Sequence, residues 1–206
     1  MVYVCTEAET ELAEQFGPLA IAQITRPRFP KEALAEVGNR IEDDNTAVMA
    51  SVYGGGELAQ VYGSTDVTVS NGTIGVAGFG GVEYGNVYGG GKGSIDVVDA
   101  GLVKTDTKVT VSGTSPMIWH NVYGGGAFGS VGTFDYDNYN VITGHTANTG
   151  TAAVYITGGT IGSNGQENGM IFGSSRGDVG APNSIHDHLA WVYDTKVIIH
   201  PAHDVR

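Results

Sequence analysis

The pentad Val-Tyr-Gly-Gly-Gly occurs at Val52–Gly56, Val87–Gly91 and Val122–Gly126, and returns in blurred form as Ile-Phe-Gly-Ser-Ser at Ile171–Ser175. The first two intervals are both 35 residues and the third is 49. Self-similarity at such a period marks an architecture built from one repeated unit, in which no unit can bury its apolar face alone. Any fold assigned to this chain must therefore place the four pentads in equivalent positions.

Two further features recur with the pentad. A β-branched residue follows eight or nine positions after each start, at Val61, Ile95, Val131 and Val179. A longer run follows that: DVTVSNGTIG from Asp66, KVTVSGTSPM from Lys108, AVYITGGTIG from Ala153, and TKVIIHP from Thr195. In the first three runs Val67/Val69, Val109/Val111 and Val154/Ile156 alternate with other side chains, which is the period of a half-buried strand. Each unit thus offers three short strands. The spacing between the first two hardly varies, whereas the other two connections do.

Constant spacing at one corner and tolerance of insertions at two others is the behaviour expected of stacked coils. The predicted fold is all-β: a right-handed parallel β-helix, or solenoid, of about four rungs, spanning residues 46–206 with units starting near 52, 87, 122 and 171. Equivalent residues of successive rungs would lie about 4.8 Å apart. The handedness follows the general preference of parallel crossover connections. The Gly runs are expected to turn a corner with positive φ and to let neighbouring backbones approach closely. A β-propeller, whose blades repeat at about 40–50 residues, is the alternative topology, but it needs four antiparallel strands per blade.

Residues 1–45 read differently. They hold only two of the 33 Gly residues, Gly17 and Gly38, and nine of the 22 acidic ones. Thr10 is a candidate N-cap for a short helix over Glu11 to Phe16, ended by Gly17 and Pro18. Pro30 is placed to open a second over KEALAEV, with Leu34, Val37 and Ile41 on one face. This flanking region is expected to cap the coil or continue it.

Composition excludes several classes of function. Net charge is −12 and no Lys/Arg cluster occurs, so phosphate-backbone binding has no footprint and no nucleic-acid partner is expected. No apolar run is long enough to form a transmembrane segment. Cys5 is the single cysteine, which rules out an internal disulfide and leaves an ordinary small apolar residue as the simplest reading.

The pattern NVYGGG followed by VTVSGGTIG-type runs, at Val52–Gly56, Asn86–Gly91, Asn121–Gly126, Val67–Gly75 and Val154–Gly162, resembles the Gly-rich repeats of adhesin-like parallel β-helix proteins of the bacterial cell surface, of Bacteroidales type. The resemblance covers about residue 46 to the C-terminus and concerns repeat style, not an activity. It implies a cell-surface or secreted location and adhesion or carbohydrate binding, with an extracellular glycan or host surface component as partner. The opening residues lack the basic and apolar regions of a signal peptide, so the expectation is a segment of a longer polypeptide exported by means of sequence elsewhere in it.

Candidate chemistry falls into three groups. Tyr53, Tyr88 and Tyr123 form a ladder; with Val facing inward they are expected to face out as an aromatic strip for sugar rings, or else to be an internal stabilising stack. The longest loop, Phe134 to Gly150, carries Tyr136 and Tyr139 as further ligand-binding candidates. Asp135, Asp137 and Asn138 in it are candidate Ca²⁺ ligands, although their spacing does not match a complete EF-hand. His186, Asp187, His188, His200, His203 and Asp204 have the chemistry of a divalent-metal set, against the simpler reading of a solvated tail.

An enzyme reading, as a β-helix polysaccharide lyase or glycosidase, needs two positioned carboxylates or a basic residue with Ca²⁺. The acidic residues of the repeat body, Glu57, Asp66, Glu83, Asp96, Asp99 and Asp106, scatter along the sequence without a recurring pair. Arg176 beside Asp178 reads as a surface ion pair. No catalytic residue is assigned, and binding without catalysis is expected. A structural stalk is the remaining alternative.

Overall fold

The computed structural model of the chain describes residues 47–48, 50–78, 84–138, 142–164, 168–177 and 189–200. The helices expected over Glu11–Phe16 and from Pro30 onward, and Cys5, lie outside these residues. Among the described residues every helix or strand element is a β-strand. The chain begins with β1 (Ala47–Val48), β2 (Val52–Tyr53), β3 (Thr65–Val69) and β4 (Thr73–Ile74). It continues through β5 (Val87–Tyr88), β6 (Thr107–Val111), β7 (Met117–Ile118) and β8 (Val122–Tyr123). A hairpin of β9 (Phe134–Tyr136) and β10 (Ile142–His145) precedes β11 (Thr151–Ile156), β12 (Thr160–Ile161), β13 (Ile171–Phe172) and β14 (Asp194–Ile199).

Three four-stranded parallel sheets result. The first has the order β1-β4-β7-β12, the second β13-β8-β5-β2, and the third β14-β11-β6-β3. The chain visits the second, third and first sheets in turn and then repeats the circuit, so each strand pairs with its equivalent one repeat away. Pairing is in register throughout: Val52, Val87, Val122 and Ile171 align in the second sheet. In the third, Val67, Val109, Val154 and Val197 form one column, and Val69, Val111, Ile156 and Ile199 another.

Alternation explains why the third sheet holds. In Thr65–Val69 and Thr107–Val111 the first, third and fifth residues are buried, and the second and fourth are not. The buried set joins Ile74, Ile118, Val87 and Val122 in one aliphatic core, with Val109, Val111, Ile118 and Val154 fully covered. Each such side chain contributes about 1.5–3 kcal/mol on leaving water. Column-wise stacking places one β-branched aliphatic on another, Val on Val, Ile on Ile or Val on Ile, so a similar volume is filled in every repeat.

The residue before each full pentad, Ser51, Asn86 or Asn121, has a defined task. Asn121 N–H donates to Asn86 Oδ1 (3.2 Å), and Met170 N–H donates to Asn121 Oδ1 (2.9 Å). Ser51 Oγ accepts from Asn86 N–H at the start of the same column (3.0 Å). Asn86 and Asn121 are buried, so these side chains satisfy backbone donors that water does not reach.

Two expectations are corrected. The residue equivalent to Val61 in the next repeat is Val103, not Ile95: Val61 bridges Val103, Val103 bridges Val131, and Val131 bridges Val192. Ile95 is 44% exposed on a surface excursion, because the second repeat carries its insertion before this position. Val179 lies outside the described residues. The pentad glycines also differ from expectation in mechanism. None of Gly54–Gly56, Gly89–Gly91 or Gly124–Gly126 has a left-handed φ. They are required by crowding alone: a Cβ on Gly54 would meet the carbonyl oxygen of Gly89, one on Gly89 that of Gly124, and one on Gly124 that of Gly173.

Candidate functional site

The in-register second sheet dictates an aromatic stack. Tyr53, Tyr88, Tyr123 and Phe172 point to the side of the sheet opposite the aliphatic core. Their successive ring centroids are 4.9, 4.8 and 4.8 Å apart, with interplanar angles of 6°, 13° and 10°. The spacing is that of neighbouring strands, so backbone pairing sets the face-to-face geometry, which isolated rings do not favour.

This stack is not the solvent-facing strip expected from the sequence. Tyr88 is fully buried and Tyr123 is 7% exposed. Both faces of each are covered by the rings above and below, and Ala127 packs against the same cluster. Tyr88 and Tyr123 therefore offer no face to a sugar. The alternative of an internal stack holds, because the strand's second side is covered by the segment that follows the pentad.

The hydroxyl edge of the stack is electrostatically unusual. Among the described residues Tyr88 Oη and Arg176 Nη1 are both buried without a hydrogen-bond partner of ordinary geometry. Burial pushes the Tyr88 phenol well above its ordinary pKa, Tyr123 and Tyr53 add to the effect, and the nearby Arg176 charge partly opposes it. Arg176 is placed here because it pairs with Ala127, its equivalent one repeat earlier.

His120 senses the same charge. Its Nδ1 lies 2.9 Å from Asn86 Oδ1. Desolvation first, and the Arg176 charge second, lower its pKa from the ordinary 6.5. Between those two values the unfolded chain binds more protons than the folded one, so stability falls as pH falls from neutrality through the folded-state pKa. Thermal melts at about pH 5 are expected to show a lower Tm than at neutral pH, with a smaller drop in His120→Gln. An unchanged drop in that variant would remove His120 as the source.

The insertion between the third and fourth pentads folds back as the β9–β10 hairpin. Asp135 occupies its exposed central position, and Tyr136 is half-buried beside it. Asp137 and Asn138 are exposed just beyond. Three oxygen-bearing side chains thus cluster in sequence at one loop tip, which is donor chemistry suited to Ca²⁺. Among the described residues no group of three or more His, Cys, Asp or Glu is placed to hold a metal ion. Tyr139 lies outside the described residues, as do His186, Asp187, His188, His203 and Asp204. His200 closes β14, its N–H donating to Ile156 O (2.9 Å).

A groove of about 480 Å³ opens where β3, β6 and β11 begin, lined among others by Ser64, Asp66, Asp106, Lys108 and Thr151. Its charges are mutually engaged. Lys108 Nζ pairs with Asp66, and Asp106 Oδ1 accepts from Thr151 N–H (2.8 Å). Ser64 Oγ and Thr105 Oγ1 are 2.8 Å apart at the rim. On the same outer face Lys196 lies 5.6 Å from the ring of the half-buried Tyr155.

Asp66 and Asp106 read as scattered in sequence, 40 positions apart. Strand register brings them into one groove, since Ser64, Asp106 and Thr151 each precede the aligned Thr65, Thr107 and Ala152. Aligning TDVTV with TKVTV and TAAVYI would have revealed it. No helix among the described residues is long and apolar enough to cross a membrane. No protein-family model, curated protein or solved structure matches the chain.

Proposed function

We propose that the chain is a right-handed parallel β-helix segment of an exported, adhesin-like bacterial surface protein, and that it binds glycans without catalysis through the outer face of the third sheet. The groove at the start of β3, β6 and β11 carries this reading. Its volume falls in the range of small-ligand sites. Its lining combines hydroxyls, carboxylates and an ammonium group, the donors and acceptors that polyhydroxylated ligands require, and Tyr155 supplies an aromatic side chain on the same face. Both carboxylates are committed to partners, which suits recognition better than proton transfer. The parallel in-register sheets and the three-sheet circuit support the coil.

Lys108→Ala and Tyr155→Ala are expected to weaken binding to responsive members of a glycan array at least about tenfold, with melting temperature little changed, since both side chains are surface-facing. Equal binding by wild type and both variants would sink the assignment of this face. Release of new reducing or unsaturated ends from the bound glycan would instead identify a lyase or glycosidase. The structural-stalk reading has its own support in the aromatic stack, which runs through all four repeats.

A further inference from the structure

Three Asn-Gly steps occur in the chain: Asn71–Gly72, Asn164–Gly165 and Asn168–Gly169. Gly165 lies outside the described residues. The other two steps form a matched pair. Gly72 and Gly169 share one backbone conformation, with φ of 81° and 82°, and Asn71 and Asn168 are both half-buried. In each, the Gly has no side chain to shield its amide nitrogen from the preceding carboxamide. Backbone shape and exposure do not tell the two apart; hydrogen bonding does.

Asn168 is held away from reaction. Its Oδ1 accepts from Ser163 N–H (2.8 Å) and its Nδ2 donates to Ser163 Oγ (3.2 Å). The N–H of Gly169 donates to His120 O in the repeat below (3.0 Å). Turning the carboxamide onto the Gly169 nitrogen would break all of these bonds. At Asn71 the arrangement is reversed: Gly72 N–H donates to the Oδ1 of Asn71 itself (2.8 Å). At the equivalent corner of the third repeat, Gly159 N–H is instead used between repeats, donating to Gly113 O (2.8 Å). The fold thus sets the Gly72 nitrogen against the side chain of Asn71.

We propose that Asn71 is a site of self-modification, converted by water through a cyclic imide. Buffer base removes the Gly72 amide proton, the nitrogen bonds to Asn71 Cγ, and the Cγ–Nδ2 bond breaks to release ammonia. Water then opens the succinimide at either of its carbonyls. The net exchange is one water taken up and one ammonia lost, with no change of oxidation state, and it leaves an aspartyl or isoaspartyl residue at position 71. Proximity supplies the acceleration, because the reacting groups already touch in the folded chain. The isoaspartyl product inserts a methylene into the main chain between β3 and β4. That corner lies directly on the next repeat: Gly72 O accepts from Met117 N–H (2.9 Å), and Gly113 sits against Ser70 O. Conversion therefore loosens the stacking of the first two repeats.

Incubation of the folded chain in warm, mildly alkaline buffer, followed by peptide mapping with electron-transfer fragmentation, tests this. Asn71 is expected to convert roughly tenfold or more faster than Asn168, with isoaspartate among the products. In guanidinium-denatured chain the two sites should convert at comparable rates, because the contacts that distinguish them are gone. The melting temperature of the wild type should fall during incubation, while that of Asn71→Gln holds. Folded chain in which Asn71 converts no faster than Asn168 would overturn the proposal. A rate difference that persists in guanidinium would also overturn it, by placing the cause in local sequence rather than in the fold. A melting temperature that falls equally in Asn71→Gln would overturn the effect assigned to the corner.

Discussion

Gly89→Ala is expected to cost at least about 3 kcal/mol, the upper part of the range for overpacking a close-packed interior. The added methyl would be driven into the backbone carbonyl of Gly124. That carbonyl cannot retreat, because Thr107 Oγ1 donates to it (2.6 Å) and the strands on either side are hydrogen-bonded in register. The same argument applies to Gly54 against Gly89 and to Gly124 against Gly173, so the three glycines do one job at three levels. Gly63→Ala is the matched control. A Cβ there meets nothing within 4 Å, and the change is expected to stay within about 0.5 kcal/mol. Chemical denaturation of both variants measures the difference. Similar midpoints would mean that the repeats are not in backbone contact at the pentads.

Tyr88→Ala is expected to destabilise by about 3–5 kcal/mol, as for a large aromatic side chain deleted from a core. The ring is fully buried between Tyr53 and Tyr123, and truncation leaves a cavity that rigid in-register strands cannot close. Tyr88→Phe separates ring from hydroxyl. Among the described residues the phenol oxygen has no hydrogen-bond partner of ordinary geometry, so its removal forfeits at most a weak contact with Arg176, and stability is expected to remain within about 1 kcal/mol of wild type. Phe172 already occupies the equivalent place one end of the stack further on. A Phe variant as unstable as the Ala variant would mean that the hydroxyl, through Arg176, carries the interaction rather than the ring.

The repeat made much of this architecture legible. The equal intervals between the first three pentads predicted that Val52, Val87 and Val122 would share a column, and the two-residue alternation of DVTV and KVTV predicted the buried face of the third sheet. What the sequence concealed follows from two physical facts. Strands of two residues, such as Thr73–Ile74 and Met117–Ile118, are too short to show any period, so in the sequence the first sheet merges with the tail of the third-sheet strand. An insertion moves a column without leaving a mark, so spacing from the pentad points to Ile95 where the pairing uses Val103. Whether Tyr53, Tyr88 and Tyr123 face solvent depends on what covers the far side of their sheet, and alternation within Val-Tyr cannot tell water from a second layer. The groove was hidden for a related reason: Asp66 and Asp106 become neighbours only after the register of β3 on β6 is known.

The central claim is that equivalent residues of successive repeats lie directly over one another in parallel. Cysteine pairing in a Cys5→Ser background tests it most directly. Thr68 pairs in register with Thr110, and Thr110 with Tyr155, on the outer face of the third sheet. Neighbouring strands separate such positions by about 4.8 Å, within disulfide reach, whereas positions two strands apart are roughly 9.6 Å away and out of reach. Mild oxidation of monomeric protein should close the Thr68→Cys/Thr110→Cys pair and leave the Thr68→Cys/Tyr155→Cys pair reduced. A first pair that stays reduced, or a second that closes, would contradict the stacked parallel register.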